Sequence, residues 1–444
     1  MDMPLPLLTS LQKDSFGYFV HEVNPLNGLI KDKTAENWPA SIAAVGMALT
    51  IYTIGVERGF MSRPHAAGIT LTTLRFFANS EQSTDANATG YKGFYYHFLD
   101  MESGKRAWQC ELSSIDTALL MAGILTVGQY FDNNNAEEEE IRHLANLLYA
   151  RVDWPWMLAG SALICHGWKP ESGFLQWHWE GYDEALILYL LALGAPRLAI
   201  APENYAAWTK SYEWKSVYGI DYLYAGPLFI HQMSHLWVDF RGVPDAYMRS
   251  KQCDYFENSR RATLVQQQYA IHNPMDFERY GEFCWGVTAS DGPGNMVKKI
   301  RGVERSFFDY IARGAPFGPD DGTLAPWAVA ASLPFAPEVV LPTVENFNAM
   351  RLREVNPYGF KASFSPTFHA PGLFKAGWVS PYHFGINEGP TVIMIENHLH
   401  DFPWRMLRAN PYLIKGLRQA GFQGGWLAQA SPSTAIESSH AHHT

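Results

Sequence analysis

Two segments of the chain are apolar on every side of a helix. Residues 41–56 (SIAAVGMALTIYTIGV) and 115–125 (IDTALLMAGIL) hold a single charged side chain between them, that of Asp116. A helix on a protein surface keeps a polar face, whereas a helix that is apolar all round is buried. Both runs are shorter than the roughly 18 apolar residues that a membrane-spanning helix needs. They therefore predict two helices in the interior of a large fold.

Helical periodicity with start and stop signals recurs along the chain. We predict helices over 39–58, from Ser62 or Arg63 to Asn79, from Ser113 or Ser114 through IDTALLMAGILTVGQYF, over AEEEEIRHLANLLYARV and from about Tyr182 to Leu193, with others near 230–238, 245–272, 301–312, 323–334, 335–352 and 403–420. Strand-like pieces are confined to FYYHFLD with KRAW and to GLFKAGW with PTVIMI. Many helices without regularly alternating strands indicate an all-α fold rather than a parallel sheet.

Helices arranged in pairs can close into a toroid of six inner and six outer helices, and the two apolar runs suit inner positions. We predict an all-α (α/α)6 barrel with minor β-hairpins in its loops; a solenoid or a large bundle is the alternative. No low-complexity linker divides the chain, so residues 1–430 are expected to form one domain. Residues 431–444 (SPSTAIESSHAHHT) have the composition of a flexible tail.

The charge and the aromatic content limit the class of ligand. The formal net charge is −10, which disfavours nucleic acid because phosphate binding needs a basic face. The 15 Trp and 22 Tyr residues suit a neutral sugar, since aromatic rings pack on sugar C–H groups while indole N–H and phenol O–H reach hydroxyls. Most of these rings are nevertheless expected in the core.

The Cys and His residues indicate no cofactor. Four Cys in so long a chain, with no C-x-x-C pair, do not form a disulfide framework. His231 and His235 in HQMSH have metal-binding spacing but lack the glutamate of H-E-x-x-H, so we predict no metal. The N-terminus has no signal-peptide pattern, which predicts a cytoplasmic protein, or a periplasmic one if a signal has been removed. The oligomeric state is left open.

Eight ordered blocks resemble a known family, the glucoamylase-like bacterial domain that includes the endo-β-1,2-glucanases of glycoside hydrolase family 144. They are ENWPASIAAVGMALTIYTIGVERGFMSR, GFYYHFLDMESGKRAW with CELSSIDTALL, WEGYDEALILYLLALGAP, GPLFIHQMSHLWVDFRG, DYFENSRRAT, YGEFCWGVTASDGPG, DDGTLAPWAVAASLPFAPE and GINEGPTVIMIEN. The blocks cover most of the chain, from about residue 10 to about residue 425. The resemblance implies an (α/α)6 barrel that acts on glucans, and members act on β-1,2-glucan by hydrolysis or transglycosylation.

Cleavage of a glycosidic bond needs a carboxylic acid that protonates the leaving oxygen and a second carboxylate. The acid must remain protonated near neutral pH, which burial or a nearby negative charge achieves. Glu184 in HWEGYDEALILYLL directly precedes an apolar run and occupies the place of the proposed acid in the family motif. Its neighbours Glu180 and Asp183 are further candidates, although acids also serve helix N-termini without any catalytic role.

The second catalytic group is left open between three acids. Asp116 lies in the first turn of an apolar helix and Glu111 just before it, where a capping role for Asp116 is the alternative. Glu388 interrupts the apolar run of GINEGPTVIMIEN. The family often has an acid one place earlier, where this chain has Asn387.

A wider set of polar and aromatic residues is predicted to contact sugar. The set is Trp38, His97, Trp179, Glu180, Tyr182, Asp183, Gln232, His235, Asp239, Arg241, Trp285, Asp291 and Asp321, with Lys92 and Tyr280 as further candidates. An ion pair between Arg241 and Asp239 is the ordinary alternative to a sugar clamp. The predicted function is hydrolysis of β-1,2-glucan, with inversion implied by the resemblance. A glucoamylase-like exo-enzyme, a transglycosylase and a non-catalytic glucan-binding protein are the alternatives.

Overall fold

The computed structural model describes residues 4–354, 356–369 and 377–430, so the predicted tail at 431–444 lies outside the described residues. Helices dominate this part of the chain. They are α1 (Pro4–His21), α2 (Ile42–Glu57), α3 (Arg63–Asn79), α4 (Ser114–Tyr130), α5 (Ala136–Arg151), α6 (Leu186–Gly194), α7 (Pro202–Thr209), α8 (Ala246–Ser250), α9 (Tyr255–His272), α10 (Pro326–Ala331), α11 (Pro337–Ala349), α12 (Gly385–His400), α13 (Phe402–Leu407) and α14 (Pro411–Gln419). Short 3₁₀ turns lie at Trp156–Leu158, Leu228–His231, Met233–Leu236 and Gly425–Ala428.

Helices α3, α4 and α5 begin where the sequence predicts, whereas α2 begins at Ile42, three residues after its predicted start. The side chains of Ser41, Ser62, Ser113 and Asn135 each accept a backbone N–H of the first turn of α2, α3, α4 and α5. Such caps satisfy N–H groups that have no partner inside the helix. The acids in the first turn of α5 add a favourable interaction with the helix dipole.

Helices α2 and α4 cross in close contact because glycine lies on both sides. A Cβ atom added to Gly123 would lie 1.9 Å from the carbonyl oxygen of Gly46, and one added to Gly46 would lie 2.3 Å from the carbonyl oxygen of Leu119. No larger residue fits either position without moving a helix. The two apolar runs are therefore buried against each other, as predicted.

The inner elements form a closed circuit of contacts. Helix α4 packs on α2 and α6, α2 packs on α12, and α12 packs on α10. From α6 to α10 the circuit passes through the 3₁₀ turns at 228–236. The N–H of Ile187 donates to Ser234 Oγ at 3.0 Å, and the side-chain amide of Gln232 donates to the carbonyl of Ala328 at 2.6 Å.

The remaining long helices lie outside this circuit. Helix α1 packs on α12 and α2, α3 and α5 pack on each other, and α5 also packs on α4. Helix α14 packs on α6, α11 on α10, and α9 on the 3₁₀ turn at Leu228–His231. None of the helices in the described ranges is both long and apolar enough to cross a membrane.

The strands are short, and every pairing among them is antiparallel. They are β1 (Ala40–Ser41), β2 (Gly90–Tyr91), β3 (Phe94–Tyr95), β4 (Phe98–Leu99), β5 (Leu112–Ser113), β6 (Gly167–Lys169), β7 (Gly173–Phe174), β8 (Trp214–Val217), β9 (Ile220–Leu223), β10 (Ala289–Ser290), β11 (Met296–Ile300), β12 (Val303–Phe307), β13 (Ile311–Ala312), β14 (Phe364–Ser365) and β15 (Trp378–Val379). Strand β1 precedes α2 and pairs with β4, while β5 precedes α4 and pairs with β6. These strands tie the loops to the N-terminal ends of the inner helices.

Several predicted elements are wrong. The helix expected over 301–312 is the β11–β12 hairpin, whose turn residues Arg301 and Gly302 have φ of 48° and 86°. Residues 390–395 (PTVIMI), expected as a strand, lie within α12, because packing against α1, α2 and α10 outweighs their β propensity. The helix expected from about Tyr182 begins only at Leu186.

Candidate active site

A cavity of about 400 Å³ opens where the N-terminal ends of α4, α6 and α12 meet. This volume lies in the range of small-molecule binding sites. Its lining residues are His97, Glu111, Ser113, Ile115, Asp116, His166, Leu175, Trp179, Glu184, Phe229, Met233, Ala289, Tyr310, Trp327, Ile386 and Asn387. Five of the residues predicted from sequence, Glu184, Asp116, Glu111, His97 and Trp179, are thus brought together.

Glu184 lies two residues before α6, with its side chain at the cavity. Burial, followed by the negative charges of Asp116 and Asp183, raises the pKa of Glu184 from 4.5 to about 8, against the opposing effect of His97. A carboxyl group with this pKa carries its proton at neutral pH. The side chain can therefore donate a proton to a bound ligand.

His97 joins two other acids at the cavity wall. Its Nδ1 lies 3.0 Å from Glu111 Oε1, and its Nε2 lies 3.6 Å from Asp116 Oδ2. Burial alone would lower the pKa of His97, but Asp116, Glu111 and then Asp32 raise it to about 9. Burial works to raise the pKa of Glu111, yet the bond from His97 outweighs it and holds this pKa below the ordinary 4.5. The pair is therefore an imidazolium beside an ionised carboxylate.

The strands explain why these residues meet. The N–H of His97 donates to the carbonyl of Glu111 at 3.0 Å, and the N–H of Ile42 donates to the carbonyl of His97 at 3.3 Å. Asp116 lies in the first turn of α4, where its carboxylate accepts a hydrogen bond from Ser113. The loops before α2 and α4 thus position the acids through backbone bonds that the sequence pattern does not reveal.

Asp32 is an acid near this cluster that sequence reasoning missed. Its Oδ2 accepts the indole N–H of Trp38 at 3.0 Å, so Trp38 is positioned beside the site. Burial raises the pKa of Asp32 to about 6, against the bond from Trp38 and the charge of His97. In the sequence, the only indication that Asp32 belongs to the site is its position six residues before Trp38.

Aromatic rings form much of the remaining wall. Trp179 stacks on His166 with ring centroids 3.8 Å apart, and its indole N–H donates to Ser114 Oγ at 2.9 Å. Phe229, Tyr310 and Trp327 also line the cavity. Of these rings, sequence reasoning selected only Trp179. It missed His166, Phe229, Tyr310 and Trp327, because their segments come together only on folding.

Glu388 does not line the cavity, so the structure does not place it with the other predicted catalytic acids. It is 3% exposed, and its Oε1 lies 2.8 Å from His383 Nδ1. Successive residues of a helix point about 100° apart, and Asn387 is the residue of this pair that lines the cavity. Glu388 is therefore turned into the protein.

The three other residues around Glu184 do not line the cavity. Asp183 accepts the N–H of Ala185 at 2.9 Å and the indole N–H of Trp208 at 3.2 Å, so it serves the start of α6. Glu180 is exposed, and Tyr182 packs against the rings of Tyr212, His231 and Tyr255. Their predicted sugar contacts are not supported by this geometry.

Gln232 and His235 are structural residues. Gln232 is fully buried and links the 3₁₀ turns to α10 through Ala328 and Ser332. His235 is 2% exposed, and its Nε2 lies 3.0 Å from Ser259 Oγ. Neither lines the cavity, whereas Phe229 and Met233 on the same 3₁₀ turns do. No cluster of three or more potential metal ligands occurs in the described part of the chain.

Asp239 and Arg241 lie at the other end of the inner helices. Arg241 Nε donates to Asp239 Oδ1 at 2.7 Å, and Arg408 Nε donates to Asp239 Oδ2 at 2.8 Å. Both Arg side chains also pair with Asp401, which directly follows α12. The C-terminal end of α12 is about 20 Å from Asn387 along the helix axis. Arg241 and Asp239 therefore form the ion pair that was the alternative interpretation. They lie too far from the cavity to hold a sugar there.

The last group of predicted contacts does not line the cavity. Trp285 is fully buried and donates to Thr343 Oγ1 at 2.9 Å. Asp291 accepts from Ser380 Oγ at 2.9 Å, and Asp321 forms a fully buried pair with Arg313, with Nε and Oδ1 2.8 Å apart. Of the two further candidates, Lys92 pairs with Asp153 and Tyr280 donates to Asp320.

Comparisons with known proteins identify the family and similar folds. A sequence profile of the family described as "Putative glucoamylase" matches residues 176–411, more than half of the chain. The chain is 27% identical to the exo β-1,2-glucooligosaccharide sophorohydrolase (non-reducing end) of Parabacteroides distasonis, over 93% of this chain. The match with this chain covers 57% of the length of the sophorohydrolase.

Two solved structures resemble the fold closely. The endo-β-1,2-glucanase from Chitinophaga pinensis, solved with sophorotriose and glucose, is 25% identical with a TM-score of 0.84, covering 96% of this chain and 100% of that one. A β-1,2-glucanase from Parabacteroides distasonis is 26% identical with a TM-score of 0.82, covering 95% of this chain and 60% of that one.

Proposed function

The chain belongs to the glucoamylase-like family, and from this premise we propose that it is a glycoside hydrolase that cleaves β-1,2-glucan or oligosaccharides derived from it. The observation that carries the proposal is the cavity, in which Glu184 keeps its proton at neutral pH while Glu111 is ionised. Opposite protonation states in two carboxyl groups are what glycoside cleavage requires. The names of the relatives support the linkage.

In the proposed reaction Glu184 donates its proton to the glycosidic oxygen as the bond between that oxygen and the anomeric carbon breaks. The carboxylate of Glu111 removes a proton from a water molecule, which attacks the anomeric carbon from the opposite face. His97 keeps Glu111 ionised, and Asp116 helps to keep Glu184 protonated. A single displacement by water predicts inversion at the anomeric carbon, which NMR of the first-formed product measures.

We also propose that the fold is an (α/α)6 barrel. The inner set would be α2, α4, α6, the 3₁₀ turns at 228–236, α10 and α12, since these six elements contact one another in a circuit. On this assignment the cavity lies at the end of the barrel where the inner helices begin, and the Asp239 ion pairs lie at the other end.

The decisive test is incubation of the protein with linear β-1,2-glucan, β-1,3-glucan and α-1,4-glucan, followed by chromatography of the products. The proposal predicts short oligosaccharides from β-1,2-glucan and none from the other polymers. Cleavage of α-1,4-glucan alone would favour a glucoamylase-like exo-enzyme, and products longer than the substrate would favour a transglycosylase. The E184Q variant is the control for contaminating hydrolases.

Asn387 favours one further candidate, a glucan-binding protein without turnover. It presents an amide to the cavity where the family often has an acid. An amide binds sugar hydroxyls but cannot accept a proton from water. Calorimetric binding of β-1,2-linked oligosaccharides without any product, even at high protein concentration, would support this candidate over hydrolysis.

A further inference from the structure

A tryptophan outside the cavity lies on a strained turn. The N–H of Cys110 donates to the carbonyl of Ala107 at 3.1 Å, and the two residues between them, Trp108 and Gln109, have φ of 52° and 51°. Turns with two left-handed central residues favour Asn and Gly, because a Cβ atom makes this conformation costly. Trp108 is nevertheless 56% exposed, so burial of its ring does not compensate for the strain.

Arg106 holds this turn in place. Its guanidinium is 1% exposed and donates to the carbonyls of Gln109 at 2.7 Å and Cys110 at 2.5 Å. The same group pairs with Glu171 through two bonds of 2.6 and 3.0 Å and lies 4.7 Å from the ring of Tyr96. Strained backbone persists only where its surroundings determine it, and such sites cluster at ligand-binding positions. Arg106 therefore fixes the backbone of the turn from which the indole projects.

The exposed ring is also connected to the cavity by a succession of aromatic contacts. Trp108 lies 4.7 Å from Trp38 and 5.1 Å from Phe98 between ring centroids. Phe98 stacks on His97 at 3.9 Å with an angle of 12° between the planes, and His97 bonds Glu111. Trp108 is therefore two ring contacts away from the carboxylate cluster, outside the residues that line the cavity.

We propose that Trp108 is a sugar platform, a subsite on which a glucosyl unit of a β-1,2-linked chain stacks after the chain leaves the cavity. The inference rests on the proposed function and specifies how it binds longer substrates. A single exposed apolar side chain is ordinary on a protein surface and is no evidence of a binding site. Trp108 differs because its turn is strained and is held by Arg106. Its exposed ring can therefore bind a sugar with little loss of conformational entropy.

The test is the Michaelis constant of W108A for β-1,2-linked oligosaccharides of increasing length. The platform predicts an unchanged KM for the shortest oligosaccharide that the wild-type protein cleaves, and a KM raised about threefold to tenfold for longer ones that reach the ring. The value of kcat should stay within about twofold, because Trp108 does not touch the reacting atoms. W108F, which keeps a ring on the turn, should recover most of the affinity.

Tyr218 offers a matched control. It is also an exposed aromatic residue with a left-handed backbone, with φ of 53° and 37% exposure, but its ring stacks on His272 away from the cavity. Y218A should leave KM unchanged at every length. The platform is overturned if W108A has wild-type KM throughout, or if it raises KM equally for the shortest and the longest oligosaccharides. If the wild-type protein cleaves no β-1,2-glucan, the proposed function itself fails.

Discussion

The two ends of the inner helices use carboxylates in opposite ways. Where these helices begin, Glu184 has no Arg or Lys partner within the described residues and is kept protonated by burial and by Asp116. Where α12 ends, Asp239 is 3% exposed, and both of its carboxylate oxygens accept hydrogen bonds from Arg241 and Arg408. Burial works to raise the pKa of Asp239, but these Arg side chains hold that pKa below its ordinary value.

The difference separates a chemical role from a structural one. A buried acid without a cationic partner costs stability, and such sites cluster where a protein performs chemistry. A buried acid with two Arg partners is inert as an acid and fixes the geometry of its surroundings. The same amide substitution at the two ends should therefore have opposite consequences.

E184Q should have the largest effect. Removing a general acid lowers kcat/KM by about 10²–10⁴-fold, because the leaving oxygen no longer receives a proton. The thermal midpoint at pH 8 should stay equal to that of the wild-type protein or exceed it, since the substitution removes an unfavourably buried acid. Assays on linear β-1,2-glucan with parallel melting curves measure both quantities. Activity near the wild-type level would show that another carboxyl group is the acid.

D239N should reverse this pattern. Loss of the buried carboxylate should lower the unfolding free energy by about 1–3 kcal/mol, because the hydrogen bonds that Arg241 and Arg408 donate to it are weakened. The cost is limited because both Arg side chains are partly exposed and keep Asp401 as a partner. At 25 °C the folded protein should retain kcat/KM within about twofold, since the site is about 20 Å away. Denaturant unfolding and the glucan assay separate the two effects. A large loss of kcat/KM with unchanged stability would contradict the structural role.

D116N should have the smallest effect and sharpen the comparison. The negative charge of Asp116 helps to raise the pKa of Glu184, so its removal lowers that pKa. The pH at which kcat/KM falls on the alkaline side should move downward, whereas D239N should leave it in place. Asparagine can still accept the hydrogen bond from Ser113. An unmoved alkaline limit in D116N would show that Asp116 does not influence the acid.

Much of the fold could be predicted from local pattern. The segments α2 to α5 combine start and stop signals with a long periodic run, so their bounds could be predicted to within three residues. The 301–312 segment could not be assigned in this way, because Arg301 and Gly302 form a turn that reverses the chain. Residues 390–395 have β propensity but are helical, because α12 packs between α1, α2 and α10.

The site was harder to predict, because the direction in which each side chain points decides whether it lines the cavity. Glu184, Asp116 and Glu111 could be selected as acids beside apolar runs, and the fold does bring them together. Asn387 and Glu388 are adjacent, yet only Asn387 faces the cavity. Asp239 and Asp321 are residue types that bind sugars, but both are held in ion pairs. Asp321 pairs with Arg313, and Asp239 pairs with its near neighbour Arg241 and with Arg408, which comes close only on folding.

The central claim is that Glu184 is protonated at neutral pH and acts as the acid. The most direct measurement is the pH dependence of kcat/KM on linear β-1,2-glucan between pH 4 and 10. Because activity requires the protonated form, and the pKa of Glu184 is raised to about 8, kcat/KM should hold through neutral pH and fall tenfold per pH unit above about 8. A fall that begins near 4.5, the ordinary value for a glutamate, would contradict the account.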